Sequence, residues 1–240
     1  MSEIYNFEIA QEIYKGDEIN AKLKALYEEV PRGTCLGCAS CCNESVPTFF
    51  SEFMNIFNYL KGDENKYIKY KEKALRHYFL ELVHKQSCFF LEEDNKCAIY
   101  HVRPLTCRIF GHDDQETYEG DYELVLQSNL EARDYFEREY SITLPNEVVY
   151  KKIPYCKEFC SNTKLTIDKK NTLNNSMFSL DSKFLIDDII HEDMINIGLS
   201  SWFALMYFEE EELDEIRITT SKEYLNNGTT EFLDEILKEI

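Results

Sequence analysis

Four cysteines fall within the eight residues of CLGCASCC, at Cys35, Cys38, Cys41 and Cys42. Packing does not require sulfur at this density, because Leu or Val would fill a core without redox liability. Metal chemistry does. In Cys35-x2-Cys38 two thiolates can converge on one ion from a tight turn, the half-site from which tetrahedral zinc is completed at about 2.3 Å from sulfur. One step further, Cys35-x2-Cys38-x2-Cys41 has the spacing of the three-cysteine run that holds a 4Fe-4S cluster in bacterial ferredoxins, the fourth thiolate coming from elsewhere. The spacing admits both zinc and iron.

Cys41 and Cys42 are adjacent, so their side chains diverge, and serving one tetrahedral ion with both would strain the chain. Two centres, or one polynuclear centre, would use them together. Five more candidates follow at Cys88, Cys97, Cys107, Cys156 and Cys160, which makes nine thiols, enough for two four-coordinate sites with one to spare. Inert buried cysteines are common one at a time, and a Cys-x2-Cys pair can also exchange disulfides; neither reading accounts for the whole set. A radical adenosylmethionine site needs Cys-x3-Cys-x2-Cys, and after Cys156-x3-Cys160 the third position is Thr163. His84 precedes Cys88 by four and His101 follows Cys97 by four, spacings that reach a metal or only its surroundings. His77, His112 and His191 are scattered. Arg103 and Arg108 flank Cys107 and can either donate to metal-bound thiolates or pair with carboxylates.

Bulk composition narrows the setting. The 240 residues are 44% hydrophobic and 30% charged, ordinary for a folded protein, and the formal charge of -19 comes from 45 acidic against 26 basic residues. That balance repels nucleic-acid phosphate and anionic lipid. The acidic start MSEIYNFEIAQ does not read as a secretory signal, and the most apolar run, SWFALMYF at 201 to 208, is far shorter than the roughly 20 residues that span a bilayer. The expected compartment is the cytoplasm, with no membrane and no nucleic acid as partner. In a reducing cell, clustered thiols mean metal or redox chemistry more often than disulfides, and the sequons at Asn43, Asn174 and Asn227 carry no weight.

The elements that must position the thiols read as helices. Ile19, Leu23, Leu26, Tyr27 and Val30 recur at three- and four-residue spacing up to the PRG that precedes the cluster. Ser51 is the expected N-cap of EFMNIFNYLKG and Gly62 its stop; Asp63 then opens a helix carrying Tyr67, Leu75, Tyr78, Phe79, Leu82 and Val83. SCFFLEEDNKCAIY places two apolar runs about the turn EEDN, a β-hairpin carrying Cys88 and Cys97. Pro104 opens a short helix with Cys107 one turn on, and the spacing of Cys156 and Cys160 fits one helical face. DSKFLIDDIIHEDMIN, SWFALMYFEEEELDEI and TEFLDEILKEI supply three further amphipathic helices. Residues 161–240 contain no cysteine and hold 17 acidic against 7 basic residues, so the chain divides into a cysteine-rich metal-binding domain, 1–160, and an acidic helical segment, 161–240, suited to contact a protein partner.

CLGCASCC followed by CFFLEEDNKCAIYHVRPLTCRIFG resembles the bacterial family of zinc- or iron-chelating proteins marked by Cys-x2-Cys-x2-Cys-Cys, to which the later Cys-x-Ile-Tyr-x-x-Arg-Pro-x-x-Cys-Arg element also belongs. The resemblance spans about residues 35–111 and places Cys35, Cys38, Cys41, Cys42, Cys88, Cys97 and Cys107 on the family's cysteine set, with one of Cys156 and Cys160 as a further member. It implies zinc or iron as the cofactor. Some relatives are described as flagellin lysine N-methylases and others as iron-sulfur oxidoreductases. No glycine-rich phosphate or adenosylmethionine loop accompanies the motif, the eight glycines being mostly isolated, and no catalytic residue can be named. The expectation is a mainly α fold with a small β-hairpin, stapled by one or two cysteine-ligated centres, in a structural or regulatory metal-binding protein. The alternative is a protein lysine N-methylase or an iron-sulfur oxidoreductase.

Overall fold

A computed structural model describes residues 7–16, 18–43, 46–163, 165–195 and 197–240. Residues 1–6 of the acidic N-terminus, Glu44 and Ser45 of the Asn43 sequon, and Asn196 at the end of DSKFLIDDIIHEDMIN lie outside these. Eleven α-helices and a two-stranded antiparallel sheet make up the regular structure of the described residues. None of these helices is long and apolar enough to cross a membrane.

The aromatic spacing of FSEFMNIFNYLK makes the central helix. In α3 (Phe50–Lys61), after α1 (Phe7–Gly16) and α2 (Ile19–Glu28), Phe50, Phe53, Phe57 and Leu60 fall on one buried stripe. Trp202 and Phe203 of α9 (Leu199–Leu205) and Phe184 of α8 (Ile167–Ile186) close over it, with ring centroids of Phe50 and Trp202 4.9 Å apart and those of Phe53 and Phe203 5.3 Å apart. The indole N–H of Trp202 donates to the Thr48 carbonyl at 2.7 Å, which satisfies the one polar atom of a fully buried ring. Around this core run α4 (Glu64–Leu80), α5 (Leu105–Ile109), α6 (Gln115–Tyr140), α7 (Asn146–Val149), α10 (Glu210–Asn227) and α11 (Glu231–Lys238).

Several expectations hold. The stripe through Ile19 and Leu23 forms α2, Asp63 caps α4 by accepting the Lys66 N–H at 3.2 Å, and Pro104 precedes α5. Gly62 ends α3. Others are corrected. The N-cap of α3 is Phe49, and Ser51 lies inside the first turn, because this helix end is buried and a carboxylate from 130 residues away caps it: Asp181 of α8 accepts the N–H groups of Phe50 at 2.6 Å and Ser51 at 2.9 Å. Helix α4 stops at Leu80, leaving Leu82 and Val83 in a turn. Within DSKFLIDDIIHEDMIN, α8 ends at Ile186 and a 3-10 turn follows at Glu192–Met194, and SWFALMYFEEEELDEI is broken between α9 and α10 over Met206 to Glu209, where Glu212 reaches back to the Glu209 N–H. Helix α6 has no counterpart in the periodicity analysis, since among its 26 residues only Tyr118 is buried.

The hairpin expected at Cys88 and Cys97 reduces to a single bridge, Leu91 with Cys97, because the chain turns into a 3-10 helix at Tyr100–Val102 before a ladder can extend. The sheet lies elsewhere. Strand β1 (Gly33–Thr34) pairs with β2 (Cys160–Ser161), Thr34 opposite Cys160. Cys156 and Cys160 therefore sit on an extended strap rather than a helical face. The reason is steric: a methyl group at Gly33 or at Gly111 would fall into the Phe159 ring, so this ring seats between two glycines and, after a bend at Lys157 and Glu158, holds Cys160 in the strand.

Two buried carboxylates brace the centre of the fold. Glu52 accepts from Tyr27 of α2 at 2.8 Å, from the Leu105 N–H at the start of α5 at 2.6 Å, and from the Phe49 N–H at 3.3 Å. Burial is the leading cause that raises Asp181 from 3.8 to about 6 and Glu52 from 4.5 to about 7, against the hydrogen bonds that lower both. A carboxyl whose pKa rises on folding binds its proton more tightly in the native state, so its contribution to stability is present below the unfolded pKa and is lost as pH climbs through the folded one. Unfolding free energy from these two groups is expected to fall between about pH 4 and 7, by on the order of 2–3 kcal/mol each. Urea titrations of wild type and Asp181→Asn across that range check this. The wild-type curve should lose ground to the variant as pH rises, and a difference that is flat or grows refutes it.

Candidate metal centre

The cysteine loop is shaped by its own backbone. Gly37 and Ala39 adopt left-handed conformations, φ +69° and +58°, and the Gly37 N–H points at the Cys35 sulfur at 3.5 Å. The Cys42 N–H closes a turn on the Ala39 carbonyl at 2.9 Å, and the Cys42 carbonyl in turn accepts the Cys88 N–H at 2.9 Å, so the loop and the Cys88 turn are joined at the main chain. That turn is anchored on the core side by Phe89 and Phe90, and on the outside by Glu92, which accepts from Lys69 at 2.7 Å and from the Tyr70 hydroxyl. Cys107 is carried by α5, whose first N–H ends on Glu52 and whose Leu105 is buried with Phe49, Leu173 and Met177.

No cysteine is in a disulfide; Cys35, Cys38 and Cys160 are exposed, and the other six are half-buried. Eight of the nine, all but Cys160, line one cavity of about 1390 Å³, which Tyr118, Tyr122 and Tyr155 also line. Five of the eight form an inner group. Each of Cys41, Cys42, Cys88, Cys97 and Cys107 stands close enough to feel the charge of others in the set. A hydrogen bond from Cys42 holds Cys41 down at about 7, helped by the Arg103 charge, and the same bond, with burial, drives Cys42 up. Burial raises Cys88 to about 11, and it raises Cys97 and Cys107 as well. Desolvated thiols that repel each other's charge ionise together only if a cation joins them, as a coordinated metal does.

The donors fit a thiophilic metal in type. Among the described residues no three Cys, His, Asp or Glu side chains are already gathered about one point as a closed site. A second fit lies in Arg103: its Nε–H is buried with no hydrogen-bond partner, while its guanidinium lies over the Tyr100 ring at 4.3 Å and its charge acts on Cys41, Cys97 and Cys107. A metal-bound thiolate is the acceptor such a donor lacks. Arg108 takes the other course, donating to the carbonyls of Arg103 at 2.8 Å and His101 at 2.7 Å and stacking on Tyr27.

Of the histidines, His101 lines the cavity, whereas His84 faces Tyr224 of α10 with Nδ1 2.8 Å from its hydroxyl. His77 is buried against Phe89 and Glu81, and His112 meets the Pro31 carbonyl at 3.1 Å. The residues that sequence reasoning passed over are Glu52, Asp181 and Phe159, which hold the thiol-bearing segments in place. An acidic residue in the first turn of α3 is a visible signal for Glu52; Asp181 and Phe159 leave none. Tyr155 further ties the strap to the turn before α6 through the Asp113 carbonyl at 3.1 Å.

No curated protein and no solved structure matches this chain. Residues 34–124, which include the five inner cysteines together with Cys35 and Cys38 and leave Cys156 and Cys160 outside, match the family model described as "CxxCxxCC: Putative zinc- or iron-chelating domain".

Proposed function

We propose that this chain is a thiolate metal-binding protein in which Cys41, Cys42, Cys88, Cys97 and Cys107 hold zinc or iron in a structural or regulatory role. The observation that carries this reading is that five thiols, from four places in the sequence, line one cavity within reach of one another's charge, together with Arg103 and its unpartnered Nε–H. The bound metal would supply the positive charge that lets buried thiols ionise, and with it folding free energy. The chain's own residues do the rest: the Cys42–Cys88 main-chain bond and the Glu52 bond to α5 bring the donors to the wall, and Arg103 offers charge and a hydrogen bond to the thiolates.

A second reading, an iron-sulfur oxidoreductase or a protein lysine N-methylase, is favoured by one feature. The cavity of about 1390 Å³ exceeds what an ion needs, and tyrosines line it beside the thiols, which leaves room for a substrate. Elemental analysis with an absorption spectrum on anaerobically purified protein separates the two. At least one equivalent of zinc or iron per chain is the expected result, and a metal-free protein of full helical content overturns both. A colourless, zinc-loaded protein that does not bind adenosylmethionine supports the structural reading; a sulfur-to-iron charge-transfer band that changes reversibly on reduction, or binding of adenosylmethionine, supports the second.

A further inference from the structure

We propose that the groove bordered by α6 and α8 is a docking site for a basic amphipathic helix of a partner protein. The proposal is independent of the metal, since none of the residues it uses is a cysteine. Helix α6 is 26 residues long and buries one side chain, Tyr118. Its second half packs through Leu130, Phe136 and Tyr140 on the cluster that includes Ile142 and Leu144. Its first half borders the large cavity instead.

There Tyr118, Tyr122 and Val125 fall at i, i+4 and i+7, one stripe of a helix, and all three line the cavity. On α8, Ile167, Asn171 and Asn174 repeat that spacing and line it too. A half-buried ion pair between Lys170 of α8 and Asp113, the residue before the Asp114 cap of α6, ties the starts of the two helices together. Among the lining side chains, Leu36 is 66% exposed, Tyr100 43%, Val125 47% and Ile167 60%. Large apolar side chains left open around one cavity mark a binding surface, unlike exposed residues scattered singly. Apolar stripes at this spacing are how a groove receives a helix.

Charge selects the occupant. Residues 115–130 carry Glu116, Glu119, Asp121 and Glu123 and no basic residue, in a chain of formal charge -19. The structure shows how this helix takes a cation: Lys152 donates to Glu119 at 2.6 Å, and its ammonium lies 4.3 Å from the centre of the Tyr122 ring and 5.6 Å from that of Tyr118. A lysine or arginine flanking the apolar anchors of an incoming helix meets the same kind of surface, acid beside aromatic. Most basic residues that line the cavity are already engaged: Lys170 pairs with Asp113, Lys96 with Asp94, and Lys151 donates to the Gln86 carbonyl at 3.4 Å. A second copy of this chain, equally acidic, would be repelled.

The test selects displayed random peptides of about 16 residues, roughly four helical turns, on the full chain purified anaerobically, and measures the selected peptides by fluorescence anisotropy. Expected are sequences with apolar residues at i, i+3 or i+4 and i+7 and with lysine or arginine on the flanks, whose binding weakens with salt. Val125→Asp with Ile167→Asp, both at exposed positions, should lower affinity by about tenfold or more. Asp121→Lys with Glu123→Lys should lower it as well and flatten the salt dependence. Leu225→Asp, exposed on α10 and outside the groove, should leave it unchanged. A selection that returns acidic or patternless peptides, or none, overturns the proposal, and so does binding indifferent to the Val125 and Ile167 changes. Should the double-aspartate chain misfold, a photo-crosslinker on the selected peptide decides: adducts within 117–125 and 167–174 support the groove, and adducts elsewhere refute it.

Discussion

Stripping the metal with a chelator is expected to release residues 35–42 and 103–110 from the turn that carries Cys88 and Cys97, while the aromatic core of α3, α8 and α9, with Phe89, Phe90 and Ile99 in it, stays folded. Apparent binding free energies of structural zinc sites are about 10–16 kcal/mol, as large as the whole stability of an ordinary domain, about 5–15 kcal/mol. What else joins these segments is slight by comparison. The Cys42–Cys88 main-chain bond is one hydrogen bond, worth a net of about 1 kcal/mol, and the bridge at Leu91 and Cys97 is isolated. Leu105 of α5 is buried in a small cluster with Leu23, Phe49, Leu165, Leu173 and Met177, apart from the main aromatic core. Hydrogen exchange read by mass spectrometry should show protection lost by orders of magnitude over 35–42 and 103–110 and kept in α3, α9 and the core-packed stretch of Phe89, Phe90 and Ile99. Cys107→Ser should produce the same pattern in weaker form. If the apo chain keeps full protection throughout, the thiols only store metal and do not staple the fold.

Trp202→Ala should destabilise the protein by about 3–5 kcal/mol, the usual cost of deleting a large ring from a close-packed core. The ring is fully buried and touches Phe50 and Phe53, and its removal also strands the Thr48 carbonyl that its N–H now satisfies. Thr48 belongs to the segment that joins the cysteine loop to α9, where the Thr48 N–H meets the Ile197 carbonyl at 2.9 Å and the Leu199 N–H meets that of Val46 at 2.9 Å. Damage there should reach the loop. The urea midpoint is expected to fall sharply, and metal affinity to fall with it. Trp202→Phe keeps most of the volume and should cost much less, chiefly the lost hydrogen bond. A loss below about 1 kcal/mol for Trp202→Ala would contradict the packing described.

The match to a chelating-domain family was legible in the residues, because ligand type and local spacing are local properties. The density of sulfur in CLGCASCC, the approach of Cys107 after Pro104, and the helical stripes of α2 and α3 all lie within a few turns of chain, where side-chain period and backbone propensity decide the outcome. The same locality explains the failures. Ser51 has the side chain of an N-cap, yet the buried end of α3 is satisfied by Asp181, a partner 130 residues away that no local rule can find. Cys156 and Cys160 have helical spacing, yet Phe159 needed the space left by two glycines, and that need pulled the strap into a strand beside Thr34. Helix α6 is amphipathic too weakly for its period to be read.

By itself, then, the sequence determined that this protein carries clustered thiols of metal-ligand type and spacing on a largely helical chain. Only the tertiary structure decided which thiols come within reach of one another's charge, Cys41, Cys42, Cys88, Cys97 and Cys107, and which stands apart from the cavity, Cys160 on the strand opposite Thr34. The physical reason is that grouping depends on pairings between distant segments, held by buried carboxylates, a seated ring and main-chain bonds, and none of these leaves a periodic trace along the chain.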